Sequence, residues 1–134
     1  DELGGFDDRL GAGAPLKSGE DIDINYRILK SGHCLVYEPT AVVRHNHHRM
    51  TAEDVFRTRY LYSFGGAALM YEYRKNTLMF CMLMGRRLQL FIKIAQYKLT
   101  GKKDLARIFR EDMRGVRDGI AAQKKNPRAA SLKP

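Results

Sequence analysis

Apolar positions recur at helical spacing through most of the chain. Between Gly19 and Ser31, Ile22, Tyr26 and Leu29 form one stripe with Ile28 beside it, which predicts a helix that stops at Gly32. Ser18 is placed to cap it, with Asp21 three residues on in a capping-box-like spacing. Thr51 and Asp54 repeat that spacing and open a second helix over about 52–74, with an interruption or bend expected at Gly65-Gly66. Further helical stretches are predicted over 77–97 and 103–122. In the last, Leu105, Ile108, Phe109, Met113, Val116 and Ile120 keep the i, i+3, i+4 period opposite Arg107, Arg110, Arg114 and Arg117. Two short runs read as strands, 34–37 and 41–45. Pro39 between them forbids one continuous ladder, so a short β pair is expected. Residues 1–16 hold four glycines and read as a loop turning through Gly4-Gly5, with the Phe6 ring expected to bury and pin it.

The 134 residues fit one domain or a piece of a larger one, and 44% apolar composition can bury a core. Cys34 and Cys81 are the only cysteines and no signal-peptide pattern precedes them, so a reducing, cytoplasmic setting is expected. The net charge of +9 is unevenly divided: residues 1–48 carry −3 and residues 49–134 carry +12. Such asymmetry suits an acidic half that holds a metal or polarises a hydroxyl and a basic half that attracts phosphate. The chain opens on Asp1, and its first residues read as the middle of something, so it is expected to be the C-terminal fragment of a longer protein.

The middle helical stretch is the most apolar part. Its uninterrupted run from Leu78 to Gly85 is too short for the roughly 20 residues of a membrane span. Arg86, Gln89 and Lys93 fall on one narrow arc of the helix and most other positions are apolar. Such a helix either packs on two sides in a core or lies in a membrane interface.

The chemistry concentrates in the acidic half. Glu20, Asp21 and Asp23 place three carboxylates in four residues at a helix start, where the helix dipole favours them. The bland reading is a solvated N-terminus. The ordered set Gly-Gly-Phe-Asp-Asp (4–8), Leu-Gly-Ala-Gly (10–13), Ser-Gly-Glu-Asp-Ile-Asp (18–23), Gly-His-Cys-Leu-Val-Tyr-Glu-Pro (32–39) and Val-Val-Arg-His (42–45) resembles family 2 glycosyltransferases. The resemblance is close over 1–48 and loose to about Gly66. It implies an α/β fold: residues 1–50 as the acceptor-side, C-terminal part of a GT-A nucleotide-sugar transferase domain, then a helical region over 51–123 and a flexible tail over 124–134. It implies transfer of a sugar from a nucleotide-sugar donor to a saccharide or lipid-linked acceptor hydroxyl with inversion. Asp21 would be the general base, taking the acceptor proton, because a carboxylate stays ionised at neutral pH. Glu20 would position acceptor or base, and Gly4, Gly5, Phe6 and Asp7 would form the acceptor-side loop. Asp23 reads instead as a brace for Arg27.

The same resemblance implies a divalent metal, Mn²⁺ or Mg²⁺, completed by His45, with His47 and His48 at the donor diphosphate. The plain alternative is a surface histidine cluster. Asp21-Ile22-Asp23 spells the metal-binding D-x-D pattern, yet lies inside the Glu-Asp motif. The family's metal-binding pair belongs to an earlier, nucleotide-binding half that this chain lacks, so the fragment alone is expected to be inactive. Two further readings stand beside transfer. One is a basic helical module on an anionic membrane, peripheral on its cytoplasmic face. The other is nucleic-acid binding, which is disfavoured because the tyrosines interleaved with the cations sit at core spacing.

Overall fold

The computed structural model describes residues 3–44 and 51–128. A loop over 3–19 leads into α1 (Glu20–Lys30), followed after an irregular segment by α2 (Ala52–Glu72), α3 (Thr77–Leu99) and α4 (Lys103–Lys125). α2 packs along α4, and α3 lies against α4 while touching α2 more lightly. One cluster joins Leu10 and Leu16 of the loop to Phe64, Ala68, Leu69 and Tyr73 of α2. A second joins Ala67 to Leu83, Leu90 and Val116 across the three long helices. The helix starts follow their sequence signals. Thr51 and Asp54 form a reciprocal capping box, Asp54 N donating to Thr51 Oγ1 at 3.2 Å and Thr51 N to Asp54 Oδ2 at 3.0 Å. Asn76 Oδ1 accepts from the backbone of Leu78 and Met79 at the head of α3.

Several expectations are corrected. Among the described residues there are four helices and no strand, so the chain is not an α/β fragment with a β pair. Around Pro39 the backbone makes only a local turn, with Thr40 N and Oγ1 donating to Glu38 Oε1 at 2.9 and 2.6 Å. Leu35, Val36, Tyr37, Val42 and Val43 are all exposed there. An isolated strand pair with no sheet or helix to cover it gains too little to form.

The bend expected in the second helix is absent. α2 runs unbroken through Gly65-Gly66, because Gly65 serves close approach: a Cβ there would sit 2.3 Å from the Ser18 carbonyl oxygen. Ser18 is correspondingly not the cap of α1. Its hydroxyl donates to the Leu61 carbonyl at 3.0 Å, and Gly19, at φ 98°, takes the cap position with no side-chain bond.

α1 also turns the opposite way from its apolar stripe. Ile22 and Leu29 are exposed, whereas Asp23 and Arg27 are its buried residues. Asp23 pairs with Arg27 there and meets Arg128 and the Tyr73 hydroxyl on the same side. Phe6, expected to pin the first loop, is 62% exposed.

On α4 the face toward α2 carries Gly115 and Gly119. A Cβ at Gly115 would lie 2.4 Å from the Tyr60 carbonyl oxygen, and one at Gly119 2.1 Å from that of Phe64. Glycine costs a helix about 1 kcal/mol against alanine. Here it lets two backbones meet. Tyr73 is buried, and Tyr60 and Tyr71 pack at the margins of the two clusters, as core spacing implied, whereas Tyr62 stands exposed.

α3 is not packed on two sides as a core helix would be. Only Leu83 and Leu90 are fully buried, and Leu78, Leu88, Phe91 and Ile92 stand out into solvent. No helix among the described residues is long and apolar enough to cross a membrane.

Candidate functional site

The acidic start of α1 splits into an outward and an inward half. Asp21 is exposed, and its Oδ1 accepts the Ile22 N–H at 2.8 Å. Glu20 is half-buried, its carboxyl group lying beside Gly11, where an added Cβ would meet Glu20 Oε2 at 3.6 Å. Asp23 points the other way and is fully buried. Its Oδ2 accepts from Arg27 Nε at 2.9 Å, the brace the sequence suggested. Its Oδ1 accepts from the Tyr73 hydroxyl at 2.8 Å and from Arg128 Nη2.

The Gly4-Gly5 loop is held through this network. The Arg27 guanidinium, oriented by Asp23, donates to the carbonyls of Leu3 and Gly5. Gly4 and Gly5 both have positive φ, 69° and 71°, which a side chain rarely adopts and which aims those carbonyls at one guanidinium. Asp7 is buried rather than open to an acceptor. It takes hydrogen bonds from Arg9 N at 3.0 Å and Arg9 Nε at 2.9 Å and pairs with Arg128 at 2.9 Å. Burial raises the Asp7 carboxyl, but the hydrogen bonds and charge of Arg9, with Arg128 beyond, outweigh it and hold it below the ordinary carboxylate value. Burial, then the hydrogen bond to Asp23 and its charge, push the Tyr73 phenol well above its usual range. Two carboxylates, three arginines and a phenol thus fix the loop, α1 and Arg128 as one body, with Asp21 and Phe6 on its outside.

Sequence reasoning missed Arg128 in this network. It falls in a stretch read as a fraying tail, and its charge gives no periodic signal. Lys124 and Lys125 instead close α4, and Arg128 is 5% exposed. A second polar cluster was missed for a similar reason. Asp112, buried on α4, pairs with Arg59 of α2 and with Arg86 of α3 at 3.3 Å, and accepts from Ser63 Oγ at 2.9 Å. These groups edge a cavity of about 180 Å³ with Leu83 and Val116. Its members come from three helices, so no local pattern announces it.

His45, His47 and His48 lie outside the described residues. Among the described residues no group of three or more His, Cys, Asp and Glu could hold a metal ion. Asp21 and Asp23 do not chelate as a pair, because Asp23 is committed to Arg27, Arg128 and Tyr73 while Asp21 faces solvent.

Half of the chain is similar to part of a known enzyme. Over 67 residues it is 34% identical to the pre-mycofactocin glycosyltransferase of Mycobacterium tuberculosis, represented by two strains. The match covers 50% of this chain and 12% of that protein's length. No family model and no solved structure matches the chain.

Proposed function

We propose that the chain is part of a glycosyltransferase that moves a sugar from a nucleotide-sugar donor to an acceptor hydroxyl, with inversion, as in family 2. The likeness to a glycosyltransferase supports sugar transfer at the coarse level. The observation that carries the finer reading is the division of labour in α1: Asp21 is exposed on a helix locked in place from beneath by Asp23 and Arg27. A general base must be accessible, ionised and held still. Asp21 is exposed to an acceptor, and its helix turn is held by the Asp23–Arg27 pair.

In this mechanism the Asp21 carboxylate takes the proton of the acceptor hydroxyl. The freed oxygen attacks the anomeric carbon from the face opposite the nucleotide, and the carbon–oxygen bond to the nucleotide diphosphate breaks with its electron pair. Glu20, half-buried beside Gly11, orients the acceptor or the base. Gly4 and Gly5 present backbone close to the acceptor, and the exposed Phe6 ring offers it an apolar face. Asp7 works from inside, holding Arg9 and Arg128. The remainder of the enzyme supplies the donor site, which we place on the cytoplasmic side.

The test is Asp21→Asn in the full-length protein that contains this chain. The amide is nearly isosteric but cannot accept the proton. Transfer is expected to fall by about 10²–10⁴-fold, with donor binding by calorimetry nearly unchanged. Near-normal transfer by that variant would remove Asp21 from the role.

A further inference from the structure

The outer side of α3 is an apolar surface edged by cations. At 100° per residue, Leu78, Cys81, Met82, Gly85, Leu88, Ile92 and Leu99 share the side turned away from the buried Leu83 and Leu90, with Gln89 and Gln96 among them toward the Arg86 and Lys93 edge. Leu78 is 64% exposed, Leu88 61% and Ile92 53%. Arg87 and Lys98 border this side along one edge, Arg86 and Lys93 along the other, and the 23-residue helix contains no Asp or Glu. Monomeric surfaces rarely leave so many large apolar side chains on one helix face uncovered.

Beyond the Arg87 edge a groove runs between α3 and α4. Ile94, Met113 and Ile120 line it, and Arg110, Arg117, Lys124 and Lys125 stand around it. Its one carboxylate, Glu111, is already paired with Arg114 at 2.6 Å. The excess positive charge therefore lies beside the apolar strip on the same flank of the molecule.

We propose that this flank docks on an anionic phospholipid bilayer. α3 lies in the interfacial plane with Leu88 and Ile92 below the headgroups, and the cations of α3 and the α3–α4 groove meet lipid phosphates. Amphipathic helices seat their apolar face about 5–10 Å into that boundary and gain from basic residues at its edges. Charge selects this occupant over a second copy of the chain, which would set Arg87 and Lys98 against their own kind. The inference stands apart from the sugar-transfer reading, because vesicle binding is measured without donor or acceptor and either can fail alone.

The experiment is co-sedimentation of the chain with vesicles of phosphatidylcholine alone or mixed with phosphatidylglycerol, at low and high salt. Circular dichroism and size-exclusion chromatography are run on every variant. Binding to the phosphatidylglycerol vesicles is expected at low salt, weakening as salt rises. Arg87→Gln and Lys98→Gln should each weaken it by about fivefold. Leu88→Glu with Ile92→Glu, both at exposed positions, should weaken it by more than about tenfold with helix content unchanged. A fluorophore on Cys81 in a Cys34→Ser background should shift to the blue with those vesicles. Absence of binding at low salt overturns the proposal, as does binding that the Leu88→Glu, Ile92→Glu variant retains. A dimer that this variant dissolves, in a chain that ignores vesicles, assigns the face to a second copy instead.

Discussion

Removing the Asp23 carboxylate should be far more damaging than removing that of Asp21, two residues away on the same helix. Asp23 is fully buried and Arg27 is 2% exposed. In Asp23→Ala, Arg27 keeps hydrogen bonds to the Leu3 and Gly5 carbonyls but loses its counter-charge, and Tyr73 loses its acceptor. Arg128 is left to share Asp7 with Arg9. Breaking one side of a buried ion pair costs about 3–5 kcal/mol, because the surviving charge stays desolvated. A domain of this size has only about 5–15 kcal/mol in total. With a urea m-value near ~2 kcal/mol/M, the midpoint should fall by about 1.5–2.5 M. Asp23→Asn keeps an acceptor and loses only the charge, so it should fall between. Asp21→Ala, exposed and bonded only to its neighbour's amide, should stay within about 0.5 kcal/mol of the parent. The assay is urea unfolding followed by circular dichroism and tyrosine fluorescence on all three variants. A midpoint shift below about 0.5 M for Asp23→Ala, or an equal shift for Asp21→Ala, would refute the argument that α1 is held by charge from beneath.

Two further outcomes follow from the packing and the titrations. Gly119→Ala gains about 1 kcal/mol of helix propensity, but its Cβ would lie 2.1 Å from the Phe64 carbonyl oxygen, a backbone atom that cannot swing aside. Overpacking of this kind costs about 1–3 kcal/mol or more, so thermal unfolding should come earlier; an unchanged or raised Tm would show that α2 and α4 separate freely. The buried Tyr73 phenol titrates above its unfolded value near 10, so its contribution is complete below that pH and is lost as pH climbs above it. Urea midpoints measured from pH 8 to pH 11 should decline above about 10, and Tyr73→Phe should flatten that decline; equal slopes would place the alkaline loss elsewhere.

The long helices were legible because their signals are local. The cap at Thr51 and the extent of the last helix depend on neighbours a few residues away, and both are found, although α4 buries Ala106, Asp112, Gly115, Val116, Gly119 and Gln123 and leaves most of its apolar stripe half-buried. What failed depended on distant partners. Ile22 and Leu29 form a clean apolar stripe, yet α1 turns Asp23 and Arg27 inward because Tyr73 and Arg128 wait there. The glycines at 65 and 66 read as a break, and only the position of Ser18 reveals that Gly65 permits contact. The β-rich run around Pro39 has strand propensity, but propensity needs a neighbouring surface to become a strand. In the site, the Asp23–Arg27 brace could be read from spacing, whereas Glu20 and Asp21 stood out through the family resemblance. The arginines that close the network and the Asp112 cluster could not, because their members are far apart in the chain.

Asp23 and Arg128 are separated by 105 residues. A ribosome adds about 5–20 residues per second, so several seconds pass between the two ends of this ion pair leaving the tunnel. Tyr73 follows Asp23 by 50 residues and arrives before the midpoint of that interval, but Arg128 is missing throughout it, and the exposed aliphatic side of α1 is no substitute. The order of synthesis therefore makes the acidic segment the last part to settle. A nascent chain stalled before residue 128 should carry a formed α2 with α1 still unlatched, open to whatever holds nascent chains in solution.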